Sequence, residues 1–184
     1  MNALLQQPIY TETGETTSLD TVLPHQPTVV VFLRQGECIE CTMMIDELQK
    51  LYSHVISWKI PLIFIANGAV TSMPRLRERL QLSASIPLFT DPSLAIYREA
   101  GLYYDWKRSV GPTAVWTIAK GLMSGFSQTR LGDHLPQQSG VVIFNSERTL
   151  EWIHKSEHIG DIPSSGSILE ILLRLKNTNN KEKQ

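Results

Sequence analysis

The feature that most constrains the fold is a short, continuous run of β-branched and apolar residues, Thr28 to Leu33, followed closely by a helical repeat. A run of this length and composition is typical of a strand buried on both faces of a sheet. From Cys38 to about Val55, apolar residues recur every three or four positions, which indicates a long helix with one buried side. Because such a strand needs helices on both faces of its sheet, the chain is predicted to fold as a layered α/β domain.

The same alternation continues along the chain. Further strands are predicted at residues 61–66, 87–90, 141–144 and 149–154, and further helices near 72–80, 91–100, 112–122 and 165–175. Residues 1–26 are predicted to be polar and irregular, apart from a helical turn at 18–23. Alternating strands and helices predict parallel pairing, and the last two strands form a hairpin. The expected fold is therefore a thioredoxin-like mixed sheet flanked by helices, with an insert at residues 102–130 before the C-terminal β-hairpin.

Length and charge exclude several classes of protein. The 184 residues fit one domain, predicted to cover 1–176, followed by a polar tail at 177–184. Seventeen Lys and Arg against 18 Asp and Glu give a net charge of −1, which argues against binding nucleic acid through bulk charge. No apolar run approaches the roughly 18–20 residues of a membrane span, and no basic residue precedes Arg34 to begin a secretory signal. We therefore expect a cytoplasmic protein with neither nucleic acid nor membrane as partner.

The two cysteines, Cys38 and Cys41, are separated by only two residues. In a cytoplasmic chain such a local pair indicates redox chemistry or half of a metal site. A closed zinc site needs four ligands, and the chain has no second cysteine pair to complete one. We therefore expect no metal ion and no bound cofactor. Two structural thiols without chemistry remain a further alternative, because free cysteine packs well as a small hydrophobic residue.

The position of the pair predicts different roles for its two thiols. Cys38 precedes the apolar stripe at the helix N-terminus, where unpaired N–H groups and the helix dipole favour a thiolate. Cys41 begins the stripe, so we expect Cys38 to be exposed and attacking and Cys41 to be buried and resolving. Glu37 and Glu40 oppose the thiolate, with Glu40 predicted on the outward side of the helix. Arg34 is the nearby cation: it either offsets a carboxylate and holds an anionic or peroxide substrate, or is merely solvated.

Four other polar residues each have two interpretations. Gln137 and Gln138 either line the cleft opposite the cysteine pair or are ordinary polar loop residues. His154 and His158 either act as a base for Cys38 or lie on the surface without a chemical role. In both cases the sequence favours the second interpretation.

Several stretches of the chain carry a family resemblance, and together they span about residues 15–175. They are Val29–Arg34 with Cys38-Ile39-Glu40-Cys41, Thr90-Asp91-Pro92 with Tyr97-Arg98 and Gly101-Leu102, Gly132-Asp133 with Gln137-Gln138 and Gly140–Phe144, and His158 with Gly160-Asp161. The chain resembles the peroxiredoxin-like branch of the AhpC/TSA proteins, which have a thioredoxin fold. The resemblance implies a thiol oxidoreductase that reduces small peroxides or disulfides and is restored by a thioredoxin or glutathione-type reductant.

The chain departs from the family pattern at two positions. Peroxiredoxins carry a Pro seven residues and a Thr three residues before the peroxide-reducing Cys, and Val31 and Gln35 stand there in this chain. Without the Thr hydroxyl, the usual means of aligning a peroxide oxygen is missing. The resemblance therefore supports the fold and a redox dithiol more firmly than the peroxidase mechanism.

Two alternatives to a peroxidase-like enzyme follow from the same residues. One is a general protein-disulfide reductase. The other is a non-catalytic interaction or redox-sensing module that binds through the aromatic insert between Tyr103 and Trp116. Within that insert, Trp106 and Trp116 either form a lid over the cleft or, as the sequence favours, are core and rim aromatics.

Overall fold

The computed structural model describes residues 2–34, 39–51, 55, 57–107, 111–123, 134 and 136–181. Its strands β1 to β7 are Pro8–Tyr10, Thr16–Ser18, Thr28–Phe32, Leu62–Ala66, Leu88–Thr90, Gly140–Phe144 and Leu150–Lys155. Its helices α1 to α7 are Asn2–Gln6, Leu19–Val22, Ile39–Gln49, Met73–Arg79, Ala95–Glu99, Pro112–Met123 and Ser165–Lys181. A single 3₁₀ turn at Val70–Ser72 leads into α4.

The strands form one seven-stranded mixed sheet in the order β2-β1-β5-β4-β3-β6-β7. Strands β3, β4 and β5 run parallel, as expected for strands joined by helical crossovers. Strands β6 and β7 form an antiparallel hairpin whose first strand pairs antiparallel with β3. The predicted thioredoxin-like mixed sheet with flanking helices is therefore confirmed, and so is the C-terminal hairpin.

Alternate residues of β3 face two different core layers, which explains why its sequence is apolar throughout. Val29 and Val31 pack with the buried side chains of α3, α4 and α7. Val30 and Phe32 pack with those of α1, α2 and α5. The carboxyl end of β3 therefore lies in the middle of the molecule, between two packed layers, and the chain passes from there toward the cysteine pair.

The prediction of an irregular N-terminus is wrong. Residues 2–22 hold two short helices and the hairpin β1–β2, and β1 joins the parallel part of the sheet through Tyr10, which pairs with Thr90. These strands have three residues each, and Ile9 is the one fully buried side chain of β1. Strands this short and this polar carry no readable period, so their formation depends on the edge of β5 that they extend.

Helices α4, α6 and α7 begin within a residue of their predicted starts, but two helices are shorter than predicted. Helix α3 ends at Gln49 instead of continuing to about Val55, and α5 covers Ala95–Glu99 instead of 91–100. Helix α6 covers the predicted 112–122 stretch within the insert, and the predicted apolar side of α3 is buried along its described length. The last helix continues to Lys181, into the tail predicted at 177–184, because neither Gly nor Pro follows Leu175 to end it. No helix among the described residues is long and apolar enough to cross a membrane.

Candidate active site

The candidate site lies where β3 ends and α3 begins. Of the predicted cysteine pair, Cys38 lies outside the described residues, and its role stays a prediction. Cys41 lies in the first turn of α3, is 1% exposed, and packs in the same core layer as Val31 and Met44. The predicted burial of Cys41 is therefore found, because it is the first member of the apolar side of the helix.

Tyr97, from α5, lies beneath this end of the sheet. Its hydroxyl group is fully buried and is shared between the backbone carbonyls of Leu33, at 2.8 Å, and Ile65, at 2.9 Å. Burial raises the pKa of Tyr97 well above its usual value of 10, and negative charge on Cys41 and Asp91 raises it further. Tyr97 therefore stays a neutral hydrogen-bond donor that ties the ends of β3 and β4 together close to the buried thiol.

Arg34 is not a solvated residue at the end of a strand. It is 2% exposed, and its Nε lies 4.0 Å from Oε2 of Glu40, which is itself 1% exposed. The backbone carbonyl of Arg34 accepts a hydrogen bond from the side chain of Asn67, which follows β4. The cation therefore lies inside the protein and offsets one of the two carboxylates of the cysteine motif. Whether it also holds a substrate stays a prediction.

The outward placement predicted for Glu40 is wrong. Its Oε1 accepts a hydrogen bond of 2.5 Å from the Ser139 hydroxyl group, and the Ser139 and Ser156 hydroxyl oxygens lie 2.7 Å apart. Since the hydrogen of Ser139 is used on Glu40, Ser156 donates to Ser139. We call Arg34, Glu40, Ser139 and Ser156 the buried polar cluster. A charge at this depth is tolerated because a cation and a hydroxyl donor lie beside it.

Sequence reasoning missed the two serines of this cluster. In the pairing of β3 with β6, Phe32 lies opposite Gly140, so the residue before Gly140 comes next to the end of β3. A backbone hydrogen bond from Ser156 N to Ser139 O then brings the end of β7 to the same place. The signal that could have found them is this register, which follows from the hairpin once β6 is placed beside β3.

The two glutamines are buried, and their amide groups hydrogen-bond to backbone. The Gln137 side chain donates to the carbonyls of Tyr103 and Gln138, and the Gln138 side chain donates to that of Pro136. Both are loop residues, as the sequence favoured, but the loop is buried because these bonds keep the approach to β6 folded inward. Whether they line a cleft opposite Cys38 stays a prediction, since Cys38 lies outside the described residues.

The two histidines singled out by sequence make hydrogen bonds of their own. His154 Nε2 lies 3.0 Å from the carbonyl oxygen of Asp161 and 3.3 Å from its carboxylate Oδ1. His158 Nδ1 lies 3.1 Å from the carbonyl oxygen of Ile159. Both are partly buried, and a role as base toward Cys38 stays a prediction. Among the described residues, no three His, Cys, Asp or Glu side chains are grouped to hold a metal ion.

The core interpretation of the insert's tryptophans is wrong. Trp106 is 58% exposed and Trp116 is 71% exposed, so both lie on the surface. Trp116 belongs to α6, and Trp106 to the turn that precedes it. Neither side chain contributes to the two core layers described above.

Three solved structures illustrate what the fold is similar to. The bacterioferritin comigratory protein of Xanthomonas campestris, studied for alkyl peroxide reduction, shares 14% identity over 97% of this chain and 95% of its own, with a TM-score of 0.62. The peroxidoxin BcpB of Mycobacterium tuberculosis shares 15% over 93% and 92%, with a TM-score of 0.61. A secreted disulfide oxidoreductase of the same organism shares 13% over 95% and 100%, with a TM-score of 0.58. At these identities they show a common fold.

The family itself is shown by sequence. No curated protein matches the chain. The sequence model of the AhpC/TSA antioxidant enzymes, however, matches residues 47–158, which is more than half of the chain. The matched region begins after both cysteines, so it is independent of the CxxC motif. The chain therefore belongs to the AhpC/TSA antioxidant enzyme family and is a thiol-dependent oxidoreductase.

Proposed function

We propose that the protein is a peroxiredoxin-like thiol oxidoreductase that works through a dithiol formed by Cys38 and Cys41. The observation that carries the proposal is the burial of Cys41, 1% exposed, in the first turn of α3, the helix that follows β3 along the chain. A thiol at that depth is shielded from a substrate in solution, so it suits the second step of a two-thiol reaction. The thiol three residues before it in the sequence, Cys38, then makes the first contact.

The proposed reaction consumes one peroxide and one dithiol. The Cys38 thiolate attacks one peroxide oxygen, the O–O bond breaks, and Cys38 becomes a sulfenic acid while the other oxygen leaves as an alcohol or water after taking up a proton. The Cys41 thiol then attacks the Cys38 sulfur, which forms the disulfide and releases water. An external thioredoxin or glutathione-type dithiol, itself oxidised, returns both cysteines to thiols. These partners, and the reducing cytoplasm that supplies them, are part of the proposal.

Arg34 has two roles in this proposal. Its guanidinium group lies beside the Glu40 carboxylate, the residue directly before Cys41, and so reduces the repulsion that this carboxylate exerts on a nearby thiolate. We also propose that its charge holds an anionic or peroxide substrate beside Cys38, and because the side chain is 2% exposed, this role requires it to become accessible when the substrate binds. Arginine suits both roles because it keeps its charge at any physiological pH.

Peroxides are the first substrate class to test, and disulfides are the alternative. The Xanthomonas structure is described for alkyl peroxide reduction and the secreted mycobacterial one as a disulfide oxidoreductase, so the fold accommodates both kinds of chemistry. The missing Thr, replaced by Gln35, weakens the case for peroxides. A dithiol can attack either substrate, and the two are distinguished by rate.

Rapid mixing of the reduced protein with hydrogen peroxide, and separately with a small disulfide, tests the proposal. Fast formation of the internal disulfide with peroxide, abolished in Cys38→Ser, is the expected result. The matched variant Cys41→Ser should react once and accumulate a sulfenic acid at Cys38, which a sulfenic-acid reagent traps. Fast exchange with the disulfide alone would reassign the protein as a disulfide reductase. Equal rates in wild type and Cys38→Ser would contradict any catalytic dithiol.

A further inference from the structure

The described side chains on the outward side of α6 are apolar. Five exposed side chains recur at helical spacing, which places them on one face of the helix: Pro112, Val115, Trp116, Ala119 and Met123. Val115 is 63% exposed, Trp116 71% and Met123 89%. We call this set the apolar stripe. Contiguous apolar surface of this kind on a folded protein marks a contact site.

The inner side of the same helix packs against the rest of the protein. Thr117 and Ile118, which lie between members of the stripe, are partly buried. Thr117 packs so closely against Gly160 that a Cβ on this glycine would lie 2.2 Å from the Thr117 methyl group. The helix is therefore seated on the protein by its inner side, and no described residue covers the stripe on the outer side.

The turn before α6 extends this surface with aromatic side chains. Tyr104 and Trp106 are each more than half exposed. The backbone N–H of Gly111 donates to the carbonyl of Lys107 at 3.1 Å, which holds this turn next to the start of α6. Tyrosine and tryptophan combine an apolar ring with one polar group, and this makes them the residues that favour the boundary between lipid and water.

The charge of this part of the chain distinguishes between possible partners for the apolar stripe. From Tyr104 to Met123 the sequence has three basic residues, Lys107, Arg108 and Lys120, against one acidic residue, Asp105, in a chain whose net charge is −1. A second copy docking through the same patch would bring two stretches of net positive sequence charge together, since a two-fold contact pairs identical surfaces. A negatively charged partner with an apolar layer beneath its charges complements the region instead.

We propose that α6 and the Tyr104–Lys107 turn form a contact surface for an anionic lipid bilayer. The twelve residues of α6 measure about 18 Å, too short to span a bilayer, so the helix would lie in the headgroup region with the apolar stripe facing the acyl chains. The expectation of no membrane partner came from the absence of a spanning run, and a surface contact does not need one. The proposal does not depend on the cysteines.

Vesicle flotation of the full-length protein tests the proposal. Vesicles of mixed phosphatidylglycerol and phosphatidylcholine should bind the wild type, the binding should weaken at high salt, and pure phosphatidylcholine should bind far less. Trp116→Ser should lower the partition coefficient at least about tenfold, because it removes a large apolar side chain. Lys107→Glu should lower it at least about fivefold through charge.

Two matched controls and a second measurement make the test decisive. Leu173→Ser removes an exposed apolar residue from α7, and Lys59→Glu makes the same charge change outside the region; both should bind like wild type. Circular dichroism checks that each variant is folded. Absence of binding to the anionic vesicles, or equal binding to both vesicle types, would overturn the proposal. So would a wild-type dimer in light scattering that Trp116→Ser converts to a monomer, since a second copy would then cover the stripe.

Discussion

The buried polar cluster and the apolar stripe invert the usual distribution of side chains in opposite ways. Around Arg34 and Glu40, charges and hydroxyl groups lie inside the protein, at most 2% exposed. Along α6, by contrast, the apolar side chains of Trp116 and Met123 are mostly exposed to solvent. A buried charge and an exposed apolar face are the two informative exceptions to the hydrophobic pattern.

The difference between the two regions is one of energetics. Each polar side chain of the buried polar cluster is tolerated because its neighbours supply opposite charge or hydrogen bonds. Removing one side chain therefore leaves another buried without a partner, at the cost of its desolvation. None of the residues that the structure describes covers the stripe, so its exposed apolar surface favours binding to a partner. Substitutions in the cluster should therefore act on the free energy of unfolding, and those in the stripe should act on binding.

The largest effect is expected from Arg34→Met. This variant removes the cation beside a buried carboxylate, and breaking such a pair from one side costs roughly 3–5 kcal/mol of unfolding free energy. Urea denaturation measures it. The double variant Arg34→Met with Glu40→Leu should recover a large part of the loss, because no uncompensated charge then remains. A single variant within about 1 kcal/mol of wild type would show that the cluster does not depend on its charge pair.

A smaller loss, about 1–2 kcal/mol, is expected from Tyr97→Phe, since the Leu33 and Ile65 carbonyls lose a shared donor. Tyr97 has a raised pKa in the fold, so above pH ~10 the unfolded chain ionises and the folded one does not. Wild-type stability should therefore fall as pH rises through that range, and the variant should lose this part of the fall. Denaturation across alkaline pH measures both. The exposed Tyr104→Phe is the control, and an identical response in the two variants would contradict the assignment.

Glu47 is partly buried, so its exposure lies between that of the buried polar cluster and that of the apolar stripe. Its substitution should have an effect of intermediate size on the free energy of unfolding. Glu47, on α3, bonds to Lys50 and accepts a hydrogen bond of 2.7 Å from the Ser165 N–H, where α7 starts. The hydrogen bond from Lys50 and then that from Ser165 lower the pKa of Glu47. A lowered carboxyl pKa stabilises the fold above the unfolded value of ~4.3, and this contribution is lost as pH falls through the folded value.

Glu47→Gln should accordingly cost about 1 kcal/mol at pH 7 and progressively less as the pH falls below about 4. Denaturant unfolding at a series of pH values gives the curve. Glu170→Gln, on an exposed part of α7, is the matched control and should show no such dependence. A cost for Glu47→Gln that stays constant down to acid pH would mean that the charge is not what joins α3 to α7.

The smallest effect on stability is expected in the stripe. Met123→Ala should change the unfolding free energy by no more than about 0.5 kcal/mol, because the side chain is 89% exposed. Met44→Ala makes the same chemical change in the core beside Cys41 and should cost roughly 2–5 kcal/mol. Parallel denaturant titrations compare them. Similar losses of stability in the two variants would contradict the exposure of the apolar stripe, since the outer side of α6 would then be packed.

The elements whose own residues form a clear pattern could be predicted from the sequence. The strand at 28–32 and the first strand of the β6–β7 hairpin are short continuous apolar runs, and helices α3 and α6 repeat apolar residues at helical spacing. Alternation of these elements then indicates parallel pairing and the thioredoxin-like sheet. The burial of Cys41 followed in the same way, as the first apolar position of its helix.

What each side of a helix or strand packs against depends on the tertiary structure and could not be predicted from the sequence. Glu40 is buried because Ser139 arrives from 99 residues further along the chain, and Arg34 is buried because Glu40 and the carbonyl partner Asn67 enclose it. The outward position of Trp116 likewise depends on which side of α6 meets Gly160. A period along one element reports that a face is apolar, but what that face meets depends on segments distant in sequence. The physical reason is that burial is a property of packed neighbours, whereas periodicity is a property of a single segment.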